Sequence, residues 1–337
     1  MMYSSSMSTK TKWVFISAFT ALAAVFFLSL ASGQYPVPLE AVWHSFLAYD
    51  PHSIDHIVIQ TTRLSRTFVA GLVGASLAVS GVLMQALTRN PLAAPSVFGV
   101  NAGAVFFIVL CSSFSATLSA GSLLWIAFFG ATMAGGLVYG IGFLGRDGLS
   151  PVKIVLSGVA ISSLFVAFTQ GILVLGQEGL DSVLFWMAGS VSGRSLDAVG
   201  QVLPYTCLFM FAAILCSPHI NVLLSGDDIA KGLGQNTLLI KTLLSTLIIG
   251  LAGIAVSLAG NIGFIGLIVP HMVRAFTGND HRSLIPLSAL WGAILLMLAD
   301  IIGRFVIAPE ELPIGVLTAI LGVPFFIYLA RKGKSHV

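Results

Sequence analysis

The chain alternates long apolar runs with short polar connections, and within each run the apolar residues are continuous. A helix needs about 20 mainly apolar residues to cross a bilayer, whereas barrel strands alternate in polarity along their length. The pattern therefore predicts an all-α, polytopic membrane protein with about ten transmembrane helices. The predicted spans are 13–32, 65–88, 97–114, 118–144, 154–175, 198–216, 238–258, 262–276, 283–303 and 313–330.

The polar stretches predict one membrane domain rather than several. Residues 13–330 form this domain, and short polar tails, 1–12 and 331–337, flank it. The proline-containing stretch 33–62 is expected to be a loop on the outer side. The stretch 217–235 is the longest polar connection expected on the cytoplasmic side, and we call it the coupling loop for the role argued below.

Composition agrees with a chain surrounded by lipid. Of its 337 residues, 57% are hydrophobic and only 9% are charged, and the mean hydropathy is +0.99. A soluble domain carries about 25% charged residues. The net charge of +3 is small and its basic residues are dispersed among loops, which gives no indication of nucleic-acid binding.

Charge also predicts the orientation. With the amino terminus inside, 12 of the 16 Lys and Arg residues fall on the cytoplasmic side, as the positive-inside rule requires. These residues are Lys10, Lys12, Arg89, Arg146, Lys153, Lys231, Lys241, Arg274, Arg282, Arg331, Lys332 and Lys334. An even number of spans returns the carboxyl terminus to the same side, so both termini are predicted to be cytoplasmic.

The remaining four arginines are expected on the outer side. Arg194 lies in a connection, while Arg63, Arg66 and Arg304 flank the outer ends of spans. Arg304 follows Asp300 by four residues, a helical spacing that predicts an ion pair and lowers the cost of burying either charge. Snorkelling at the interface is one interpretation of Arg63, Arg66 and Arg304 when each is taken alone. Three together instead favour a docking surface for an acidic patch of an external partner.

The chain offers no energy source of its own. A proton- or sodium-coupled carrier is expected to bury more carboxylates than this chain has within its spans. The sequence Gly333-Lys334-Ser335 lacks the earlier glycine of a phosphate-binding loop, since Tyr328 stands there. We therefore expect a separate ATPase chain, which binds the coupling loop, and no catalytic activity in this one.

Neither a metal nor a cofactor is predicted. Cys111, Cys207 and Cys216 fall in apolar runs without metal-ligand spacing, which favours packing roles. His271 and Arg274, near the inner end of the eighth span, could form a functional pair. Capping of the helix end is the favoured interpretation of both.

Several motifs together resemble the FecCD family of ABC-transporter permeases, from about Arg63 to the end of the chain. They are Arg63-Leu64-Ser65-Arg66, 74–81, 85–93, 99–103, Phe185-Trp186-Met187-Ala188-Gly189-Ser190, Gly226-Asp227-Asp228 with Ala230 and Leu233-Gly234, 263–271 with Arg274, Asp280-His281-Arg282, Ala299-Asp300 with Arg304, and 311–318 with Gly322 and 324–326.

The resemblance implies a type II ABC importer permease in the bacterial cytoplasmic (inner) membrane. It implies two permease subunits, two ATP-binding subunits and an extracytoplasmic substrate-binding protein, with a ferric siderophore as the expected cargo. Arginines matching Arg63, Arg66 and Arg304 would contact that binding protein. The residues expected to couple to the ATPase are Ser225, Gly226, Asp227, Asp228, Ala230, Leu233 and Gly234.

The resemblance also places the pathway along the fifth and tenth spans and a short outer helix near 182–189. Relatives have small polar gate residues near the inner end of the fifth span. This chain has Ser150-Pro151-Val152-Lys153 there, so no gate residue is assigned.

Alternatives stay open at this point. The same machinery could carry haem or cobalamin, and the second permease could be a copy or a related chain. An ion-coupled carrier would respond to the ion gradient at constant ATP, and a membrane enzyme or scaffold would purify without an ATPase.

Overall fold

The computed structural model describes residues 9–115, 118–144, 150–175 and 186–333, and the secondary structure of these residues is helical, without strands. The helices are α1 (Thr9–Ala31), α2 (Leu39–Leu47), α3 (Ile54–Ile57), α4 (Leu64–Thr88), α5 (Val100–Phe114), α6 (Ala120–Phe143), α7 (Pro151–Leu175), α8 (Leu196–Leu224), α9 (Asp227–Gly232), α10 (Thr237–Ala259), α11 (Ile265–Thr277), α12 (His281–Gly303) and α13 (Ile314–Gly333).

Within the described residues, seven helices are long and apolar enough to cross a membrane, and three shorter apolar helices accompany them. The shorter ones are α5, α11 and α13. Seven and three make the ten spans that the hydrophobic pattern predicts. Most predicted boundaries lie within a few residues of the observed helix ends.

Two boundaries differ more. The stretch 33–62, expected to be a loop, contains α2 and α3, and α3 continues through the π-helix Val58–Arg63 into α4. The helix can extend because the Arg63 guanidinium finds carbonyl partners there, as described below.

Helix α8 runs through Pro218 to Leu224, so the coupling loop begins at 225 and not at 217. Proline is tolerated within membrane helices because neighbouring groups satisfy the freed carbonyl.

The helices α4, α10 and α12 form the centre of the bundle. In the most apolar window of α10, 83% of the residues are buried inside the chain, against 17% for α1 and 22% for α7. The peripheral helices therefore present apolar side chains outward, as lipid or a further membrane subunit requires.

Glycine sets the distance between α4 and its neighbours. A Cβ added to Gly74 would lie 2.2 Å from the carbonyl oxygen of Gly292 in α12, and one on Gly81 would lie 2.0 Å from that of Gly266 in α11. Dispersion and close backbone approach drive helix association in lipid, where the hydrophobic effect between helices is lost. These contacts fix α4 against both helices at backbone distance.

We expect Gly74→Ala to destabilise the protein by about 1–3 kcal/mol, because the added methyl group must push α4 and α12 apart. The measurement is the apparent Tm of the purified protein in detergent. Gly71→Ala is the matched control on the same helix, since its Cβ would meet its nearest neighbour, Met297, at an ordinary 3.9 Å. Equal Tm values for the two variants would contradict this account of the packing.

Candidate functional site

A cluster of three arginines and two carboxylates lies where α4 begins and α12 ends, and we call it the arginine cluster. Arg66 donates from Nε to Asp300 Oδ1 at 2.8 Å and from Nη1 to both oxygens of Glu311 at 2.7 Å. Asp300 is fully buried and also pairs with Arg304, whose Nε lies 3.0 Å from Oδ2. One carboxylate is therefore shared by arginines of two helices.

The remaining guanidinium hydrogens point at the carboxyl-terminal end of α1. Arg304 Nη1 donates to the carbonyls of Ser29 and Ser32 at 2.8 and 2.7 Å. Arg63 Nη1 donates to Leu30 and Ala31, both at 2.8 Å, and its Nη2 donates to the Tyr35 carbonyl. The last carbonyls of a helix lack partners within it, and a cation there also suits the helix dipole.

The structure thus buries the three arginines for which docking was predicted. Their exposed fractions are 4% for Arg63, 8% for Arg66 and 2% for Arg304. Their hydrogen bonds end on this chain, which gives them a structural role. Direct docking to an external acidic partner stays a prediction, and it would require groups that are covered in this conformation.

Glu311 connects the cluster to the segment before α8. Burial by itself would raise the pKa of its carboxyl, but the hydrogen bond and charge of Arg66 and a hydrogen bond with Ser192 outweigh burial and lower it. Glu311 is therefore ionised at neutral pH, and it joins α4 to the connection that follows residue 190.

At the opposite end of the bundle, Asp227 holds the coupling loop to the spans. Arg89 Nη2 lies 2.5 Å from Asp227 Oδ1, and Lys241 Nζ lies 2.6 Å from Oδ2. Burial would raise the pKa of Asp227, but Lys241 and then Arg89 outweigh it, and the pKa is lowered. Arg89 also donates to the Leu223 carbonyl at 3.0 Å, so this contact joins the ends of α4 and α8.

The short helix α9 presents an apolar ridge beyond this anchor. Ile229 and Leu233 are one helical turn apart, and 57% and 69% of their surfaces are exposed. The seven predicted coupling residues lie in α9 and in the two residues on either side of it. Ser225, Asp228, Leu233 and Gly234 are exposed, Gly226 and Asp227 are half-buried, and Ala230 is buried.

Ile229 is not among the coupling residues predicted from the sequence. The available signal was an apolar pair at helical spacing, Ile229 and Leu233, in an otherwise polar stretch.

His271 and Arg274 contact different parts of the chain. Arg274 Nη1 donates to Gln85 Oε1 at 2.5 Å, and Gln85 in turn donates to the Gly266 carbonyl at 3.1 Å. The His271 ring packs edge-on against Phe325 of α13. Gln85 and Arg274 therefore join α4 to α11 near the Asp227 end.

Residues 187–188, the connection 261–264 and the helix α13 line a groove of about 720 Å³. Backbone hydrogen bonds join them: the Asn261 amide donates to the Trp186 carbonyl at 3.1 Å, and the Gly315 amide donates to the Gly189 carbonyl at 3.1 Å. Phe264 lines the groove and has a left-handed φ of 66°. Residues 182–185 of the expected outer helix fall outside the described part of the chain.

Nothing in this groove, nor elsewhere among the described residues, groups three His, Cys, Asp or Glu side chains as a metal site would require. The groove is instead lined by apolar side chains, the amide of Asn261 and backbone groups.

Comparison with known proteins identifies the class of membrane protein. The sequence pattern of the FecCD transport family matches residues 21–332, nearly the whole chain. The chain belongs to the FecCD transport family. Its members are membrane permease subunits of ABC importers and not enzymes, because partner chains hydrolyse the ATP.

Two relatives from Bacillus subtilis illustrate the similarity. The Fe(3+)-citrate import system permease protein YfmD is 46% identical over 84% of this chain and 84% of its own length. The iron(3+)-hydroxamate import system permease protein FhuB is 43% identical over 95% of this chain and 83% of its own length.

A solved transporter shares the fold. A structure assigned as a metal-chelate type ABC transporter in an inward-facing conformation superposes with a TM-score of 0.83 at 29% identity, covering 95% of this chain and 99% of that one. The fold is therefore that of a type II importer permease, as expected. Homologous permeases work with ATPase and substrate-binding partners.

We expect Asp300→Asn to be strongly destabilising, by about 3–5 kcal/mol, because it leaves Arg66 and Arg304 buried without their shared carboxylate. Glu311→Gln is the matched comparison, since that carboxylate is about one-third exposed and its loss should cost about 1 kcal/mol or less. The apparent Tm in detergent reports both changes. Equal losses would show that Asp300 is not the central partner of the cluster.

Proposed function

We propose that this chain is the permease of an ABC importer that carries a ferric siderophore across the bacterial cytoplasmic membrane. The observation that supports this cargo is the similarity, over most of the chain, to permeases named for ferric citrate and ferric hydroxamate import. Haem or cobalamin is the alternative cargo, on the earlier resemblance alone.

In this proposal the ATPase binds the coupling loop. The exposed Ile229 and Leu233 enter a pocket of the ATPase, and Asp227 transmits its movement to α4 and α10 through Arg89 and Lys241. Exposed apolar side chains favour a protein contact, because binding removes their apolar surface from water. An exposed charged loop alone would contribute little.

The orientation proposed is that both termini and the Asp227 end face the cytoplasm. The positive-inside distribution supports it, because Arg89, Lys241, Arg274 and Arg331 lie at or near this end. The arginine cluster and the groove then face the substrate-binding protein. The few buried residues of α7 and the exposed apolar side chains of α13 suit a second permease subunit, identical or related, packed across the pathway.

We expect Ile229→Asp combined with Leu233→Asp to reduce uptake of radioactive ferric siderophore at least tenfold, since the charges prevent burial in the ATPase. The same variant should lose the co-purifying ATPase subunit. Ile229→Leu with Leu233→Met is the control, since it keeps apolar side chains and should retain both properties. Undiminished uptake by the Asp variant would rule out this coupling role, and its response to an ion gradient at constant ATP would identify a secondary carrier.

A further inference from the structure

One arginine near the arginine cluster has no anionic partner among the described residues. The guanidinium of Arg194 lies over the indole of Trp186, with Cζ 4.8 Å from the ring centroid. Its Nε is buried and has no hydrogen-bond acceptor among the described residues. By contrast, the guanidinium groups of Arg63, Arg66 and Arg304 donate to carbonyls or carboxylates. Arg194 is therefore the arginine at this end, among the described residues, whose hydrogen-bonding groups are not all satisfied.

Arg194 keeps its charge in this environment. Burial lowers its pKa, and no carboxylate of the described residues acts in the opposite direction. The ordinary value for arginine is so high that the group stays protonated at neutral pH, and a guanidinium is only weakly hydrated when it stacks on an aromatic ring. The result is a fixed, partly desolvated positive charge.

The backbone around Arg194 is held on both sides. Ser192 donates a hydrogen bond to the Glu311 carboxylate, and its amide donates to Ser190 Oγ at 3.1 Å. Ser195 caps α8, its hydroxyl accepting from the Ala198 amide at 3.2 Å. The stacked Trp186 is itself buried, with 6% of its surface exposed. Positioning of this kind reduces the entropy lost when a ligand binds.

Trp186, on which this charge stacks, adjoins the groove. Trp186 directly precedes Met187 and Ala188, which line it, and the Trp186 carbonyl accepts from the amide of Asn261, another lining residue. The groove volume of about 720 Å³ is within the range of small-molecule sites. None of the residues that line the groove is charged.

We propose that Arg194, held by Trp186, is an anion-recognition site at the entrance of the pathway, which binds a carboxylate or catecholate oxygen of an anionic ferric chelate. This rests on the function proposed above. Among the candidate ligands, a small chelate fits better than an acidic side chain of a partner protein, because the group is recessed, with Nε covered, and adjoins a groove of ligand size.

The site should act on cargo charge and not on transport in general. Its interaction is worth about 10- to 100-fold in affinity, the range of a hydrogen bond to a charged group. A neutral hydroxamate chelate of iron offers no such anion, so its uptake should not depend on Arg194. A purely structural stacking role would instead affect all cargoes alike.

The test measures uptake of ferric citrate and of a neutral ferric trihydroxamate by the complete transporter, with matched substrate-binding proteins, over a range of cargo concentrations. Arg194→Gln should raise the half-saturating concentration of ferric citrate about 10- to 100-fold and leave that of the trihydroxamate within about twofold. Arg194→Lys, which keeps the charge, should lie between wild type and the Gln variant. Arg282→Gln, an exposed arginine at the Asp227 end, is the control.

The outcomes separate this inference from the proposed function. If the wild-type transporter took up neither chelate and no other ferric siderophore, the proposed function would be wrong. Uptake by the wild type of the neutral chelate alone, or equal effects of Arg194→Gln on both cargoes, would overturn only the role of Arg194. A weaker association of cargo-free substrate-binding protein with the Gln variant, without discrimination between cargoes, would overturn it in favour of a protein contact.

Discussion

The carboxylate of Asp300 is the interaction on which the architecture depends. A lone carboxylate is costly at membrane depth, and so is a lone arginine. Here Asp300 is fully buried and accepts from Arg66 of α4 and from Arg304 at the end of its own helix. The arginines in turn complete their hydrogen bonds on carbonyls at the end of α1. Three spans therefore meet at one anion, and removing any member leaves the others unsatisfied.

This arrangement explains why basic residues occur where the positive-inside rule disfavours them. Arg63 and Arg304 are needed at the end of α1, because its terminal carbonyls would otherwise face a region poor in water. Glu311 then extends the network to Ser192, beside the connection that carries Arg194. The paired arginines of the cluster and Arg194 thus lie in one continuous polar region, although Arg194 has no carboxylate partner among the described residues.

Much of the fold follows from the sequence because apolar run length is a direct measure of membrane thickness. The ten helices are predicted in this way, as is the spacing of Asp300 and Arg304, since both signals are local. The pairing of Arg66 with Asp300 joins residues 234 positions apart, and no periodicity indicates it. The extension of α4 back to residue 54 escaped prediction for the same reason, because the carbonyls that satisfy Arg63 belong to α1 and its following turn.

The coupling loop was recognisable by its polarity, but its apolar ridge was not. Polarity locates a surface, whereas the exposure of Ile229 and Leu233 depends on the direction in which Asp227 anchors the turn. The same limit applies to Arg194. From the sequence it is one more arginine in a connection, and only the position of Trp186 beneath it and the absence of a described carboxylate nearby distinguish it from its paired neighbours.

The two polar ends are connected by helices that resist independent movement. Helix α4 carries Arg66 at one end and leads into Arg89 at the other, and backbone contact at Gly74 holds it in register with α12. Interfaces at backbone distance slide poorly, because any shift brings atoms into collision. In the proposed function, a displacement applied at Asp227 would move α4 and α12 as one body towards the arginine cluster. The relative motion that opens and closes the pathway would then fall on helices with many exposed apolar side chains, α7 and α13, and α13 lines the groove.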